Sequence, residues 1–410
     1  MINVGEVLLN LWNTSGFAAL SAGFGTGGWQ NLVMLIISCV LLYLGIVKKF
    51  EPLLMCGIAF GCLLTNLPMG GLYHQELWTA FMDHNSEFYH SYGAIMREGG
   101  LLDIFYIGVK TSVYPCLIFM GVGAMTDFGP LLSNPKSLLL GAAAQMGVFA
   151  AFFGAVAMNL ISPELGFTGP EAASIGIIGG ADGPTAIFLT SQLGPHLLGA
   201  IAVAAYSYMA VIPMIQPPIM NLLSTPEQRK IKMVQTRNVS KAEKIIFPIL
   251  VTIFVALLLP DTAALIGCLM FGNLAKETGL TDRLSDTMQN ALMNIVTILL
   301  STSVGATMVG SNFLTVQTLS IVVLGVVAFG LSTAGGMLGG QVMYKLTGGK
   351  VNPLIGSAGV SAVPMAARVS NMVGQKNNPS NFLLMHAMGP NVAGVIGSAI
   401  AAGFLLSVFG

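Results

Sequence analysis

Long apolar runs alternate with short polar segments along most of the chain. The runs lack the two-residue alternation of a lipid-facing β-strand, and many approach the roughly 20 residues that a helix needs to cross a bilayer. Ten segments are long enough to cross, some only marginally: 28–48, 52–68, 102–127, 136–160, 196–223, 245–259, 262–276, 284–308, 315–346 and 381–409. The pattern predicts an all-α polytopic membrane protein.

Two further apolar segments, 164–194 and 350–376, are interrupted by glycine, proline and polar residues. A plain helix facing lipid cannot carry such interruptions, because the freed backbone groups need protein or water partners. We therefore expect two broken, re-entrant hairpins. Their small residues would let the two hairpins meet near the midplane of the membrane.

Lysine and arginine in the short loops predict the orientation. Loop 224–244 carries six basic residues and should be cytoplasmic, whereas loop 70–101 carries four acids and one arginine and should lie outside. Segment 28–48 then runs inward and segment 381–409 runs outward. Both termini are predicted to lie outside.

Counting the crossings from these fixed points predicts two inverted repeats of about five helices each. The first repeat spans 28–223 and the second spans 245–410, and each contains one broken hairpin. The cytoplasmic basic loop joins them. This arrangement is typical of secondary transporters. Similarity between the halves is weak, with VGAM at 122–125 matching VGAT at 304–307.

Residues 1–27 precede the first repeat. Apolar side chains recur there at helical spacing, at Val4, Val7, Leu8, Leu11 and Trp12. We interpret this stretch as an interfacial amphipathic helix, with a short membrane span as the alternative.

The composition supports the membrane prediction. Hydrophobic residues make up 54% of the chain and charged residues 8%, against about 25% charged in an average soluble protein. This balance excludes a soluble enzyme, a disordered chain and a nucleic-acid binder with a basic face. The five cysteines all lie in apolar runs without a CxxC motif, which is typical of small buried hydrophobic residues.

Asp182 is the most informative single residue. It lies between Gly180 and Pro184 in an otherwise apolar stretch. A carboxylate at the bilayer centre costs about 2.5–3.5 kcal/mol on insertion scales, so a cation, a proton or an arginine must offset it. We expect an ion or proton role. The alternative is a structural cap that accepts backbone N–H groups at the helix break.

The second hairpin supplies uncharged oxygens, at Asn352, Ser357, Ser361, Ser370 and Asn371. A helix break near Gly356 would also leave backbone carbonyls free. One carboxylate combined with amide, hydroxyl and carbonyl oxygens suits a monovalent cation better than a divalent one. The alternative for each residue alone is a hydrogen bond that satisfies the break or joins two helices.

Other polar residues have open interpretations. Arg368 could hold a carboxylate in bidentate fashion, or act as a basic anchor at the cytoplasmic rim. Tyr208 could offer its hydroxyl to the centre of the bundle, or be an ordinary interfacial tyrosine. Asp103 and Lys110 are expected to snorkel at the outer end of their helix.

Three motifs resemble the β subunit of the sodium-pumping, biotin-dependent decarboxylases, which act on oxaloacetate, methylmalonyl-CoA or glutaconyl-CoA. They are GGADGPTAIF at 179–188, NPLIG at 352–356 followed by Ser361 and Arg368, and MHAMGPNVAGVIGSAIAAG at 385–403. The resemblance implies a subunit of the bacterial cytoplasmic membrane that decarboxylates carboxybiotin and exports Na⁺.

The resemblance also implies roles and partners. Asp182 matches the carboxylate that binds sodium and protons in this family. Asn352, Gly356 and Ser361 match the family's second ion-binding element. Arg368 and Tyr208 match residues near carboxybiotin, and Ser361 is expected to bind the cofactor as well as the ion. The implied partners are a biotin-carrier subunit, a carboxyltransferase subunit, a small membrane subunit and further copies of this chain.

Two other functions remain possible from the residues alone. A stand-alone sodium/proton antiporter needs only the ion site and the inverted repeats. A purely structural membrane anchor would leave the buried Asp182 unexplained. Co-purification with a biotinylated subunit would favour the decarboxylase, and sodium flux by this chain alone would favour the antiporter.

Overall fold

The computed structural model describes residues 4–22, 28–161, 166–234, 237–362 and 364–410. All regular secondary structure within these ranges is helical, and they contain no strand. The prediction of an all-α protein is confirmed.

The helices of the first half are α1 (Val4–Asn13), α2 (Gly16–Ala22), α3 (Gly28–Ile46), α4 (Pro52–Thr65), α5 (Gln75–Met82), α6 (Tyr92–Glu98), α7 (Leu101–Lys110), α8 (Val113–Met125), α9 (Gly129–Ser133), α10 (Ser137–Ala144), α11 (Met146–Ile161), α12 (Gly169–Gly176), α13 (Gly183–Leu193) and α14 (Leu198–Leu222). Those of the second half are α15 (Pro226–Arg229), α16 (Lys241–Leu258), α17 (Ala263–Thr278), α18 (Asp282–Thr287), α19 (Met293–Ala306), α20 (Gly310–Phe313), α21 (Val316–Leu346), α22 (Met365–Asn377) and α23 (Leu384–Phe409).

Several helices have the length and apolar character of membrane spans. Four qualify by themselves, namely Gly28–Ile46, Ser137–Leu160, Val316–Leu346 and Leu384–Phe409. Two bent pairs bring the number to six: α7 with α8, which meet at 63°, and the two parts of the segment 195–222. The chain is therefore a multi-pass membrane protein, and its ten predicted segments each contain helix, although some of those helices are short.

The helices pack into two bundles, each built from both halves of the sequence. The first bundle comprises α3, α4, α7, α8, α16, α17 and α19, and the second comprises α10 to α14 and α21 to α23. The two bundles meet where α13 touches α7 and α8, where α14 touches α4 and α19, and where α23 touches α17 and the 3₁₀ turn at Pro260–Thr262.

Glycines allow the closest helix crossings of the first bundle. A Cβ at Gly61 of α4 would overlap the carbonyl oxygen of Thr302 in α19, and a Cβ at Gly272 of α17 would overlap that of Met120 in α8. Small residues let backbones approach closely where lipid provides no hydrophobic driving force between helices.

Both interrupted segments are broken helices in the second bundle. The first runs from α12 through a 3₁₀ turn at Ile177–Gly180 to α13, and the second runs from a 3₁₀ helix at Pro353–Gly359 to α22. Parts of the predicted hairpins, residues 164, 165 and 363, lie outside the described residues.

Helix α1 confirms helical structure near the N-terminus. Its apolar side chains Leu8, Leu11 and Trp12 are more than half exposed in the isolated chain. Such a face suits the boundary of a bilayer, and the interfacial position stays a prediction.

The expectation for Asp103 and Lys110 is wrong, because both side chains are buried. Asp103 accepts hydrogen bonds from the backbone N–H groups of His74 and Gly100, from His74 Nδ1 and from Trp78 Nε1. The carboxylate ties the loop 70–101 to α7. The sequence does not indicate this role, because three of the four donors belong to His74 and Trp78, which lie more than 20 residues before Asp103.

Candidate functional site

Asp182 lies at the break between α12 and α13. The chain turns there through Ala181, whose φ is +55°, and Asp182 is the N-cap residue of α13. Gly183 follows, and a Cβ at this position would overlap the ring of Tyr206 in α14. Because Gly183 has no side chain, the backbone next to Asp182 packs directly against Tyr206 of α14.

The carboxylate is buried and has two hydrogen-bond donors. Oδ2 accepts from the Ser398 hydroxyl of α23 at 2.8 Å, and Oδ1 accepts from the Thr185 backbone N–H at 3.4 Å. Asp182 is 8% exposed. The second contact is the cap that we considered as the alternative role, and it leaves most of the acceptor capacity of the carboxylate unused.

The two broken segments touch beside this carboxylate. The backbone N–H of Ser361, after the second 3₁₀ helix, donates to the carbonyl oxygen of Gly180 at 3.0 Å. A Cβ at Gly180 would lie 3.2 Å from the Ser398 Cβ and 3.6 Å from Gln145 Oε1. The small Gly180 thus lets four parts of the chain come together. They are the two broken segments, the junction of α10 and α11, and α23.

Several buried oxygens near the break have no hydrogen-bond partner. They are Thr185 Oγ1, Ser361 Oγ, Tyr206 Oη and Gln145 Oε1. Buried polar atoms are usually satisfied, so an unpartnered group of this kind needs an explanation. Uncharged oxygens around one carboxylate are the ligand set that a hard monovalent cation prefers.

The remaining predicted ion residues lie elsewhere in the second broken segment. The Asn352 side-chain N–H₂ donates to the carbonyl oxygens of Arg229 and Ile231, and its Oδ1 accepts from the Leu354 N–H. Gly356 packs against the backbone of Gly336 in α21, where a Cβ would overlap the carbonyl oxygen.

Arg368 and Tyr208 lie on different helices of the second bundle. Arg368 is an exposed residue on α22, whereas Tyr208 is buried in α14 and its hydroxyl donates to the carbonyl oxygen of Val322 in α21. Tyr206, two residues earlier in the same helix, is the tyrosine that lies beside Gly183.

Four residues of this constellation were not predicted from the sequence as site residues: Gln145, Thr185, Tyr206 and Ser398. Thr185 lies in the GADGPTA motif, and its position three residues after Asp182 could have suggested a cap contact. Gln145 and Ser398 come from distant helices, and only the packing brings them to Asp182.

No three His, Cys, Asp or Glu side chains gather anywhere in the described ranges of the chain. The constellation at Asp182 therefore differs from a zinc or calcium site, which needs more anionic or nitrogen ligands.

Comparison with known proteins places these features in context. A sequence profile described as "Na+-transporting oxaloacetate decarboxylase beta subunit" matches residues 30–409. The methylmalonyl-CoA decarboxylase subunit β of Propionigenium modestum is 58% identical over 406 residues, which cover 99% of this chain and 100% of that protein.

Two further relatives carry different substrate names. The glutaconyl-CoA decarboxylase subunit β of Acidaminococcus fermentans is 58% identical over 389 residues, 95% of this chain and 96% of the relative. The oxaloacetate decarboxylase β chain of Klebsiella pneumoniae is 55% identical over 412 aligned residues, 92% of this chain and 95% of the relative.

Proposed function

The chain belongs to the family of Na⁺-transporting oxaloacetate decarboxylase β subunits, and from this premise we propose how its residues perform the activity. It is the membrane subunit of a biotin-dependent decarboxylase complex, which decarboxylates carboxybiotin and couples that reaction to sodium export. The relatives support this function and not the stand-alone antiporter.

Asp182 is proposed as the carboxylate that binds Na⁺ and a proton in turn. Support comes from its burial and from the unpartnered oxygens of Ser361, Thr185 and Tyr206 around it. Asn352 and Gly356 belong to the second ion element in this proposal. They act on the ion by holding the backbone of the segment that ends at Ser361.

Coupling follows from proton balance. Decarboxylation breaks the bond between the biotin nitrogen and the carboxyl carbon, CO₂ leaves with neither electron of that bond, and the nitrogen takes up one proton. Na⁺ arriving at Asp182 displaces a proton from the carboxyl group. That proton becomes available for the nitrogen, so the chemical step and ion occupancy depend on each other.

Sodium export needs a source of free energy, which the decarboxylation supplies. Moving one positive charge out against a membrane potential costs about 2.3 kcal/mol per 100 mV. Na⁺ must therefore prefer one arrangement of the two bundles and carboxybiotin must bias the other, because a ligand shifts an equilibrium only by its differential affinity.

Arg368 is proposed as the group that receives the carboxylate of carboxybiotin at the cytoplasmic side. Its exposure on α22 supports this role, because the cofactor arrives on a partner subunit. Tyr208 is proposed to act near carboxybiotin through its position in α14, which packs against α22.

The inverted repeats, of about five helices each over 28–223 and 245–410, are proposed from the packing. Gly61 and Ile58 of α4 contact α19, and Gly272 and Leu269 of α17 contact α8 in the same way. Gly272 lies 211 positions after Gly61, and Leu269 lies 211 positions after Ile58. On the opposite helices of these crossings, the matching glycines are Gly123 in α8 and Gly305 in α19, which lie 182 positions apart. Both crossings place a glycine of each helix against the partner backbone at corresponding positions, as a two-fold relation requires.

The topology and assembly complete the proposal. The broken segments form re-entrant hairpins that meet near the midplane, and the basic loop 224–244 faces the cytoplasm of a bacterial cell, with both termini outside. A biotin-carrier subunit, a carboxyltransferase subunit and a small membrane subunit join this chain, which forms homo-oligomers.

The deciding experiment replaces Asp182 by Asn in the assembled complex. We expect the variant to assemble and to lose Na⁺-dependent decarboxylation, because an amide holds neither the charge nor the exchangeable proton. Asp261→Asn is the matched control, since Asp261 is an exposed acid in the turn before α17. Sodium stimulation retained in Asp182→Asn would reject the assignment.

A further inference from the structure

Lys110 is a buried cation that the mechanism above does not use. It is the last residue of α7 and is 9% exposed. Its Nζ donates to the carbonyl oxygen of Ser191 at 2.8 Å, in the last turn of α13. A cation is favourable at a helix C-terminus, where carbonyl groups lack intrahelical partners.

The contact joins the two bundles. Lys110 belongs to the first bundle and Ser191 to the second, and Gln192 adds bonds to the Lys110 carbonyl oxygen at 3.3 Å and to Ser112 Oγ at 2.9 Å. Helix α13 therefore carries Asp182 at its first end and is fastened to the first bundle at its other end.

Lys110 also borders a cavity of about 290 Å³ between the bundles. Other polar side chains that line it include Gln75, Thr79, His196, Thr307 and Asn312, and no acidic residue lines it within the described residues. Of the carboxylates around it, Glu171 bonds His196 at 2.8 Å, and Asp103 is held by its own four donors. Neither neutralises Lys110 by an ion pair.

We propose that Lys110 is a positioning residue that weakens sodium binding at Asp182 from the outer side and so promotes release. This inference rests on the proposed function and orientation. Nine residues of α13 separate Asp182 from Ser191, which is about 13 Å at 1.5 Å per residue. At an effective dielectric constant of about 20, a positive charge at that distance lowers cation affinity by roughly tenfold.

The position of Lys110 gives the effect a direction. Ser191 lies on the outer side of Asp182 along the same helix, whereas Lys110 stays with the first bundle. If the second bundle shifts outward, the Lys110–Ser191 hydrogen bond breaks and Asp182 moves toward Lys110, which increases the repulsion of bound Na⁺. The ammonium group thus disfavours sodium most in the arrangement from which the ion leaves.

The test uses the whole complex in inverted membrane vesicles, whose lumen corresponds to the outer side. Decarboxylation is measured while the vesicles are loaded with increasing Na⁺. In Lys110→Gln, which loses the charge and keeps a hydrogen-bond donor, we expect the half-inhibitory lumenal Na⁺ concentration to fall about tenfold. Lys110→Arg should stay within twofold of the unmodified complex.

A control and the opposing results complete the test. Lys276 donates to the carbonyl oxygens of Met125 and Thr126 at the end of α8, so Lys276→Gln removes a similar cap away from Asp182. It should leave lumenal inhibition unchanged. Unaltered inhibition in Lys110→Gln, an equal change in Lys110→Arg, or a larger effect on activation by bath Na⁺ would overturn the proposal. The Asp182 assignment is tested by a different variant. If it is wrong, Asp182→Asn keeps its stimulation by sodium, whatever the result for Lys110.

Discussion

Individual side chains around Asp182 divide into those that hold the carboxylate and those left available to an ion. The Ser398 hydroxyl belongs to the first group, because its proton is donated to Asp182 Oδ2 at 2.8 Å. The hydroxyls of Ser361 and Thr185 belong to the second group, because they have no partner. This division predicts different consequences when each hydroxyl is removed.

Ser398→Ala should raise the half-saturating Na⁺ concentration for decarboxylation about tenfold or more. A hydrogen bond to a charged group contributes about 1.5–3 kcal/mol, and its loss reorients the carboxylate that holds the ion. Sodium titration of the complex measures this. Ser407→Ala is the matched control, since its hydroxyl donates to Phe404 O on the exposed part of the same helix. An unchanged sodium titration in Ser398→Ala would contradict the role.

Arg368→Ala should impair the use of the biotin-carrier subunit more than it impairs sodium binding. Removing a charge-assisted contact to a carboxylate predicts a ten- to hundredfold fall in kcat/KM for the carboxylated carrier. Steady-state kinetics with varied carrier and varied Na⁺ separate the two effects. Arg368→Lys should recover part of the activity, because the charge remains while the bidentate geometry is lost. Equal losses for both substrates would count against a separate role.

The sequence singles out Asp182 as a candidate but does not reveal its surroundings, for a physical reason. A carboxylate in an apolar run is costly, so Asp182 attracts notice without any structure. Serine and glutamine are tolerated in membrane helices, so Ser398 and Gln145 have no distinguishing local signal. Similarly, Asn352 was predicted beside the ion, whereas its amide bonds the backbone at 229–231. Nothing in the local pattern indicates that the basic loop folds back onto it.

At the scale of helices, glycine and proline determine where the chain breaks and where helices approach. The broken segments were predictable because a lipid-facing helix cannot leave backbone groups unpaired. The close crossings were not, because a glycine in an apolar helix has the same local pattern whether it meets another backbone or open space. Gly272 and Gly267 of α17 show this contrast: only Gly272 has a backbone within reach of an added Cβ.

Gly272→Ala should destabilise the protein, and Gly267→Ala should not. The new methyl at position 272 overlaps the Met120 carbonyl oxygen, so α8 and α17 must separate along their crossing. Overpacking of this kind costs about 1–3 kcal/mol. Thermal unfolding in detergent should therefore begin several degrees lower for Gly272→Ala. Equal stability of the two variants would contradict the close crossing.

At the scale of the whole molecule, the proposed ion site and the buried pair Asp103 and Lys110 belong to different bundles. Asp182 and its neighbours lie in the second bundle, whereas Asp103 and Lys110 lie in the first. Transport requires that the site be reached from one side at a time, and two packed bodies can shift as units. The contacts between the bundles are therefore the places where a covalent link should stop coupling.

Gly199 of α14 and Thr307 after α19 form such a contact. A Cβ at Gly199 would lie 3.0 Å from Thr307 Oγ1, so cysteines at both positions can form a disulfide once the Met308 side chain, 2.7 Å from the added Cβ, shifts. In a background without the native cysteines, Gly199→Cys with Thr307→Cys should lose sodium-coupled decarboxylation on oxidation and regain it on reduction. Thr278→Cys with Thr281→Cys, whose hydroxyls lie 3.1 Å apart within the first bundle, should stay active under both conditions. Full turnover by the oxidised inter-bundle pair would mean that this contact does not change during transport, and the coupling movement would then have to occur within the second bundle.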